Sequence, residues 1–161
     1  MTSLPRPDLK HPVHFVAFGF GSGLSPKAPG TVGTMAAIPF LYLMSLLTNI
    51  QYLIVLLVII IAGIWLCEQS SKMLGVHDHP GIVWDEFAGL FVTMIAVPFT
   101  WGTVVAGFIL FRVFDILKPW PISWLDKKIS GGLGIMLDDL VAGAFALAIL
   151  QLLLKLDLIP M

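Results

Sequence analysis

The sequence predicts an all-α membrane protein, a polytopic bundle of about five helices with a short re-entrant or interfacial segment near its N-terminus. Composition is the first reason: 58% of the 161 residues are hydrophobic and only 12% are charged, unlike a water-soluble domain of this length. The second is the recurrence of long apolar runs with few charges inside them. The third is that Lys and Arg gather in alternate connections, as the positive-inside bias requires of a multi-pass chain. A single membrane-embedded domain over residues 1–161 is expected, with membrane lipid as its surroundings and nucleic acid not an expected partner at a formal net charge of −1. The lone cysteine, Cys67, rules out an intramolecular disulfide. Composition says nothing about oligomeric state.

Taken in order, Met1 to Lys10 is polar, and the apolar stretch Val13–Phe20 runs into glycines without a small-residue cleavage site, so no cleaved signal peptide is read. Val13–Leu24 is too short to cross and forms the interfacial or re-entrant element. Spans are expected at Gly33–Leu47, at Tyr52–Cys67, at Phe87–Phe99 extended back to Trp84, and at Met136–Leu154. A fifth, Thr103–Leu117, is interrupted by Arg112 and Asp115. Several fall short of the roughly 20 residues a bilayer asks for, so their polar ends belong in the interface or in a protein-lined cavity.

Orientation follows from charge. Arg6, Lys10, Lys27, Lys72, Lys118, Lys127 and Lys128 fall in the N-terminal region and in the connections after the second and fourth helices, whereas Thr48–Gln51 and Thr100–Gly102 carry no charge. The basic side is cytoplasmic, which places Met1 in the cytoplasm and Met161 in the periplasm. Glu68 then closes the second helix, Asp85 and Glu86 open the third, Asp115 lies in the last turn of the fourth, and Asp138 and Asp139 open the fifth. All six meet at the cytoplasmic leaflet. Carboxylates near lipid need water, cationic partners or a metal to offset their repulsion, and hard oxygen ligands favour magnesium, manganese or calcium. At about 100° per residue, Gly89, Thr93 and Ala96 line up with Asp85 and Glu86, and Ala142 with Asp138 and Asp139. Such small-residue stripes mark close helix contact in membranes and draw the two acid pairs together.

Each motif also has a plainer reading. Acids at helix N-termini complement the helix dipole. Arg112 and Asp115, three apart, suit a structural ion pair as well as a phosphate clamp beside a metal ligand. His77-Asp78-His79 can bind substrate, move a proton or cap the turn before Pro80, and imidazole is a poor magnesium ligand. The stretch Gly19–Thr34, with Ser22, Lys27, Thr31 and Thr34, can cradle a phosphate, but its glycines equally permit a re-entrant turn, and it holds no Walker A sequence. Metal-binding acids with cationic phosphate ligands on one leaflet suggest hydrolysis or transfer at a phospholipid headgroup. A cysteine phosphatase would need Arg where Met73 stands, and no Asp-x-Asp motif is present. A small ion- or proton-coupled transporter and a lipid headgroup transferase are the alternatives. Clustering at one leaflet argues against the first, and the absence of the spaced acidic motif of CDP-alcohol transferases against the second.

The blocks Gly19–Thr34, HDHPGIVWDEFAG (77–89), FRVFDILKPWPI (111–122) and GGLGIMLDDLVAG (131–143) closely resemble the bacterial phosphatidylglycerophosphatase A family, and the similarity runs from about His14 to Leu150. The resemblance implies magnesium-dependent hydrolysis of phosphatidylglycerophosphate to phosphatidylglycerol and phosphate at the cytoplasmic face of the inner membrane. Carried over position by position, it implies Asp85, Glu86, Asp115, Asp138 and Asp139 as metal and catalytic groups, with Lys27, Arg112 and Lys118 on the phosphate. Water attack and a covalent carboxylate intermediate both remain open.

Overall fold

The structure, a computed structural model, describes residues 4–77 and 79–159; Asp78, Met1 and Met161, singled out above, lie outside the described residues. Among the described residues there is no strand. The elements are α1 (Pro12–Ala17), a 3-10 segment (Gly19–Leu24), α2 (Pro29–Ser45), α3 (Asn49–Leu74), α4 (Trp84–Thr93), α5 (Trp101–Leu117), α6 (Ile122–Lys128) and α7 (Gly131–Lys155).

Two of them, α3 with 26 residues and α7 with 25, are long and apolar enough to cross a membrane. Local chemistry sets their ends. At the start of α3 the Gln51 N–H donates to Thr48 Oγ1 and the Thr48 N–H donates to Gln51 Oε1, a reciprocal capping box, and the helix stops at Gly75, where φ is +66°. Thr100 and Thr103 form the same device at the start of α5. On α3, Leu53, Ile54, Leu57, Val58 and Ile61 are exposed, an apolar face that a membrane-associated protein turns toward lipid.

The structure departs from the sequence expectation in two spans and in the helix count, because α1, the 3-10 segment and α6 add short elements to the expected set of about five. The span expected over Phe87–Phe99 is not one helix. α4 stops at Thr93, the Met94, Ile95 and Val97 amides make tight turn bonds to Phe91, Val92 and Met94, and Ala96 takes φ +54° before Pro98. Proline disfavours helical backbone in the residue before it, so Pro98 weakens a helix through Val97, and the turn at Ala96 has already ended it. α7 begins at Gly131 rather than Met136, so Asp138 and Asp139 lie about 10 Å along the helix instead of opening it.

α7 is the central element, packed against α3, α4, α5 and α6, and its closest partner is α4. Their crossing is built from small residues. A Cβ on Gly143 would run into the Gly89 carbonyl, and Thr93 Oγ1 donates to Gly89 O at 2.9 Å and to Gly143 O at 3.4 Å. Phe87, Leu90, Phe91, Phe111 and Leu150 are buried around that crossing. The segment read as interfacial is helical and docked. His14 Nδ1 lies 2.9 Å from Ser70 Oγ on α3, the buried Phe18 fills the gap behind it, and the Val83 N–H donates to Ala17 O at 2.9 Å. That last bond fixes the residue just before α4, and with it the start of the acidic turn.

Candidate active site

Each acid pair sits about one turn N-terminal to the glycine at which its helix crosses the other, Asp85 and Glu86 before Gly89, Asp138 and Asp139 before Gly143. Close approach at the crossing therefore brings the pairs to one level. Single oxygens from Asp85, Glu86 and Asp139 lie within 4.8 Å of one another. The three side chains are buried, and Glu86 Oε2, Asp139 Oδ2 and the neighbouring Asp138 Oδ1 have no hydrogen-bond donor. Buried carboxylate oxygens without donors, crowded together, are what a hard divalent cation would satisfy, and the donor set is all oxygen. The residues present thus fit a metal such as magnesium.

The cations come from α5. Arg112 Nη1 lies 2.7 Å from Asp115 Oδ2, 3.6 Å from Glu86 Oε1 and 3.5 Å from Thr34 Oγ1, so the expected ion pair within the last turn exists and extends across to α4 and α2. α2 can come this close only because Gly30 has no side chain: a Cβ there would meet Glu86 Oε1 and the Arg112 guanidinium. Lys118 caps α5, and its Nζ donates to Asp126 Oδ1 at 2.7 Å and to Asp138 Oδ2 at 2.5 Å. Burial disfavours its charge, but the hydrogen bonds and negative charges of Asp126 and Asp138 together outweigh burial and hold its pKa above the usual lysine value. The five expected acids therefore divide: Asp85, Glu86 and Asp139 converge, Asp115 serves Arg112, and Asp138 serves Lys118.

The five acids and Lys118 line a cavity of about 310 Å³ together with His77, Pro80, Asp126, Ile129 and Gly134, and Arg112 pairs with its Asp115 and Glu86. A larger cavity of about 510 Å³ lies between α2, α3 and residues 94–99, but its lining contains no carboxylate and no cation.

The other expected substrate contacts, His77 apart, lie outside the acidic cavity. Lys27 is exposed and does not line the acidic cavity, and Ser22 Oγ donates to Gly19 O within the 3-10 segment. Thr34 Oγ1 donates to Gly30 O, while Thr31 is half-buried on α2 away from the cavity lining. His79 Nδ1 accepts from the Gly81 N–H, which leaves Nε2–H to donate to Pro5 O and makes the ring a brace for the N-terminal strap. His77 does face the cavity, with Nε2 accepting the Gly131 N–H at 2.9 Å. Glu68 takes the dipole-complementing part: Oε2 accepts the Gly132 N–H at the first turn of α7, and Oε1 pairs with Lys72 at 2.8 Å. Asp126, on α6, also lines the cavity, although it is not among the site residues expected from the sequence. Pro119 and Pro121 mark a turn that lays α6 beside the end of α5, but nothing in the pattern says that Asp126 meets Lys118 there.

A family model described as phosphatidylglycerophosphatase A matches residues 15–154. The chain is similar to a phosphatidylglycerophosphatase A of Escherichia coli K12, 50% identical over 93% of this chain and 92% of that protein. It is similar to one of Haemophilus influenzae, 45% identical over 91% of each. A Bacteroides thetaiotaomicron protein provisionally named a phosphatidylinositol-3-phosphatase is 36% identical over 81% of this chain and 86% of that one. No solved structure matches.

Proposed function

This chain belongs to the phosphatidylglycerophosphatase A family, and from that membership we propose that its acidic cavity hydrolyses phosphatidylglycerophosphate with magnesium, facing the cytoplasm in a bacterial inner membrane. It is a phosphatase of phospholipid synthesis. The observation that carries the site assignment is the convergence of Asp85, Glu86 and Asp139 in one polar cavity with Lys118, where Arg112 pairs with Glu86 and Asp115.

In this reading Asp85, Glu86 and Asp139 would hold the cation, with Asp115 and Asp138 beside them. When bound, magnesium neutralises phosphate charge and makes water a better nucleophile. The chain's own groups do the rest. Arg112, its guanidinium oriented by Asp115 and Glu86, and Lys118 at the rim bind the phosphate oxygens and stabilise charge as the ester oxygen departs. Asp138, with Oδ1 lacking a donor, takes the proton from the attacking water. Water oxygen bonds to phosphorus in line as the phosphorus–glycerol oxygen bond breaks, the departing alkoxide takes a proton from water at the cavity mouth, and Asp138 then gives the proton it received back to solvent. His77 orients the mouth of the cavity through Gly131.

The multi-pass topology is argued from charge. Lys118, Lys127 and Lys128 share the cavity's end of the molecule, whereas the α2–α3 and α4–α5 connections are uncharged. Five crossings then come from α2, α3, α4 with residues 94–99, α5 and α7. A transporter would place its acids near the midplane, and these gather at one end. The test is phosphate release from phosphatidylglycerophosphate in detergent. A chelator should abolish it, magnesium should restore it, and calcium should restore it poorly because the larger ion tolerates looser geometry. Full turnover in the chelator would sink the metal reading, and no release under any condition would sink the phosphatase reading. A parallel arm with phosphatidylinositol 3-phosphate measures headgroup choice.

A further inference from the structure

α5 ends at Lys118 because Pro119 follows it and disfavours helical backbone at the preceding residue. Lys118 takes φ +41°, and its N–H still closes on Phe114 O at 2.9 Å. The chain then turns and returns as α6, which lays Asp126 against the Lys118 ammonium. Nζ hangs between two carboxylates, and side-chain exposure falls from 37% at Asp126 through 29% at Lys118 to 8% at Asp138. One partner is at the mouth of the cavity and the other inside it.

We propose that Asp126 is a positioning residue that tethers Lys118 at the cavity mouth, so that an arriving phosphate takes the ammonium from Asp138 without Lys118 leaving the rim. The proposal rests on the reading of this cavity as a phosphomonoester site. The geometry suits an exchange. An ammonium has three donors on a flexible stem, and two are in use, so a phosphate oxygen can replace Asp138 while Asp126 keeps its bond. Asp138 Oδ1 already lacks a donor, so the exchange frees the whole carboxylate for proton transfer. Without Asp126 the ammonium has only the inner carboxylate, which draws it toward the acid cluster and away from entering substrate. Asp126 does not need to touch substrate in this arrangement. Nor is it required to dock α6, because Ile122 is fully buried in the core and anchors that helix.

The experiment uses the full chain in detergent with magnesium and inorganic phosphate as the probe. Acylation of Lys118 by an amine reagent is followed by mass spectrometry, and phosphate should protect Lys118 saturably in the parent. In Asp126→Asn the phosphate concentration for half-protection should rise about tenfold, as should KM for the lipid in mixed micelles, with kcat within about threefold of the parent. Asp126→Glu, which keeps the charge, should recover most of the loss. Unchanged protection and KM in Asp126→Asn would overturn the proposal. So would a fall in kcat and thermal midpoint together that Glu does not rescue, which marks a purely structural residue. Absence of phosphate protection in the parent also overturns it. A parent that shows protection yet releases no phosphate from lipid would refute the phosphatase reading and leave the tether standing.

Discussion

Replacing Asp139 with Asn should make the protein more stable without metal and less able to respond to it. Asp139 contributes one of three carboxylate oxygens that lie within 4.8 Å of one another. At an effective dielectric of about 20, two unit charges at that separation repel by about 3.5 kcal/mol. Asparagine keeps the size of the side chain and one acceptor while removing the charge, so the empty protein is relieved of up to that repulsion against each charged neighbour. For a chain of this size 1 kcal/mol corresponds to about 2–4 °C, so the thermal midpoint in chelator should rise by several degrees. The same change removes a hard ligand, so the midpoint increase that millimolar magnesium gives the parent should shrink to near zero and turnover should fall by at least about a hundredfold. Thermal unfolding in detergent, with chelator and then with magnesium, measures both halves. A variant destabilised in chelator that keeps the full magnesium shift would refute the reasoning, because the carboxylate would then be a structural hydrogen-bonding group.

Gly89→Ala places a Cβ against the Phe111 ring and 2.9 Å from the Asp139 carbonyl, so it should cost about 1–3 kcal/mol of stability by overpacking, read from thermal unfolding. Glu68→Ala removes the acceptor of the Gly132 N–H and the Lys72 pair, so it should lower the thermal midpoint and leave KM for the lipid unchanged; a raised KM at an unchanged midpoint would place Glu68 in the site instead. In a Cys67→Ala background, cysteines at Lys127 and Asn49 should react with a membrane-impermeant maleimide from opposite sides of the membrane. Labelling of both from one side would remove the topology argued from charge.

Much of the fold was legible because α2, α3, α5 and α7 are apolar runs with recognisable ends, such as the Thr48–Gln51 box and Gly75. The boundaries that were not legible have local causes. Phe87–Phe99 is apolar almost throughout, so composition could not reveal that α4 ends at Thr93, and only Pro98 hinted at it. The start of α7 was hidden by its glycines, which are poor helix formers. Here tertiary contact overrides propensity: a Cβ at Gly132 would meet the Ile64 carbonyl and, at 2.7 Å, the Glu68 amide. The glycines are present so that α7 can lie against α3, and that packing makes them helical. In the site, the acid pairs could be recognised because their local environments repeat, a short step from a small residue in both helices. Asp126 could not be, because its partner Lys118 is met only through the return of the chain, which no periodicity encodes. His79 stood out by type but is engaged by Pro5 and Gly81, contacts equally invisible in sequence.

The α4–α7 crossing makes stability and chemistry separable by experiment. Six carboxylates, Asp85, Glu86, Asp115, Asp126, Asp138 and Asp139, line the cavity with the Lys118 ammonium, and the Arg112 guanidinium pairs with Asp115 and Glu86 beside it, so formal charge there is unbalanced toward the negative. Such crowding is unfavourable by itself and persists because the crossing at Gly89, Thr93 and Gly143, with the aromatic residues around it, holds the helices together regardless. Two substitutions on facing helices should therefore abolish activity alike yet move the thermal midpoint in chelator in opposite directions. Gly89→Ala damages the frame, whereas Asp139→Asn relieves what the frame restrains. If both lowered the midpoint, the carboxylates would be part of what stabilises the bundle, and the negative cluster would not be a site held ready for a cation.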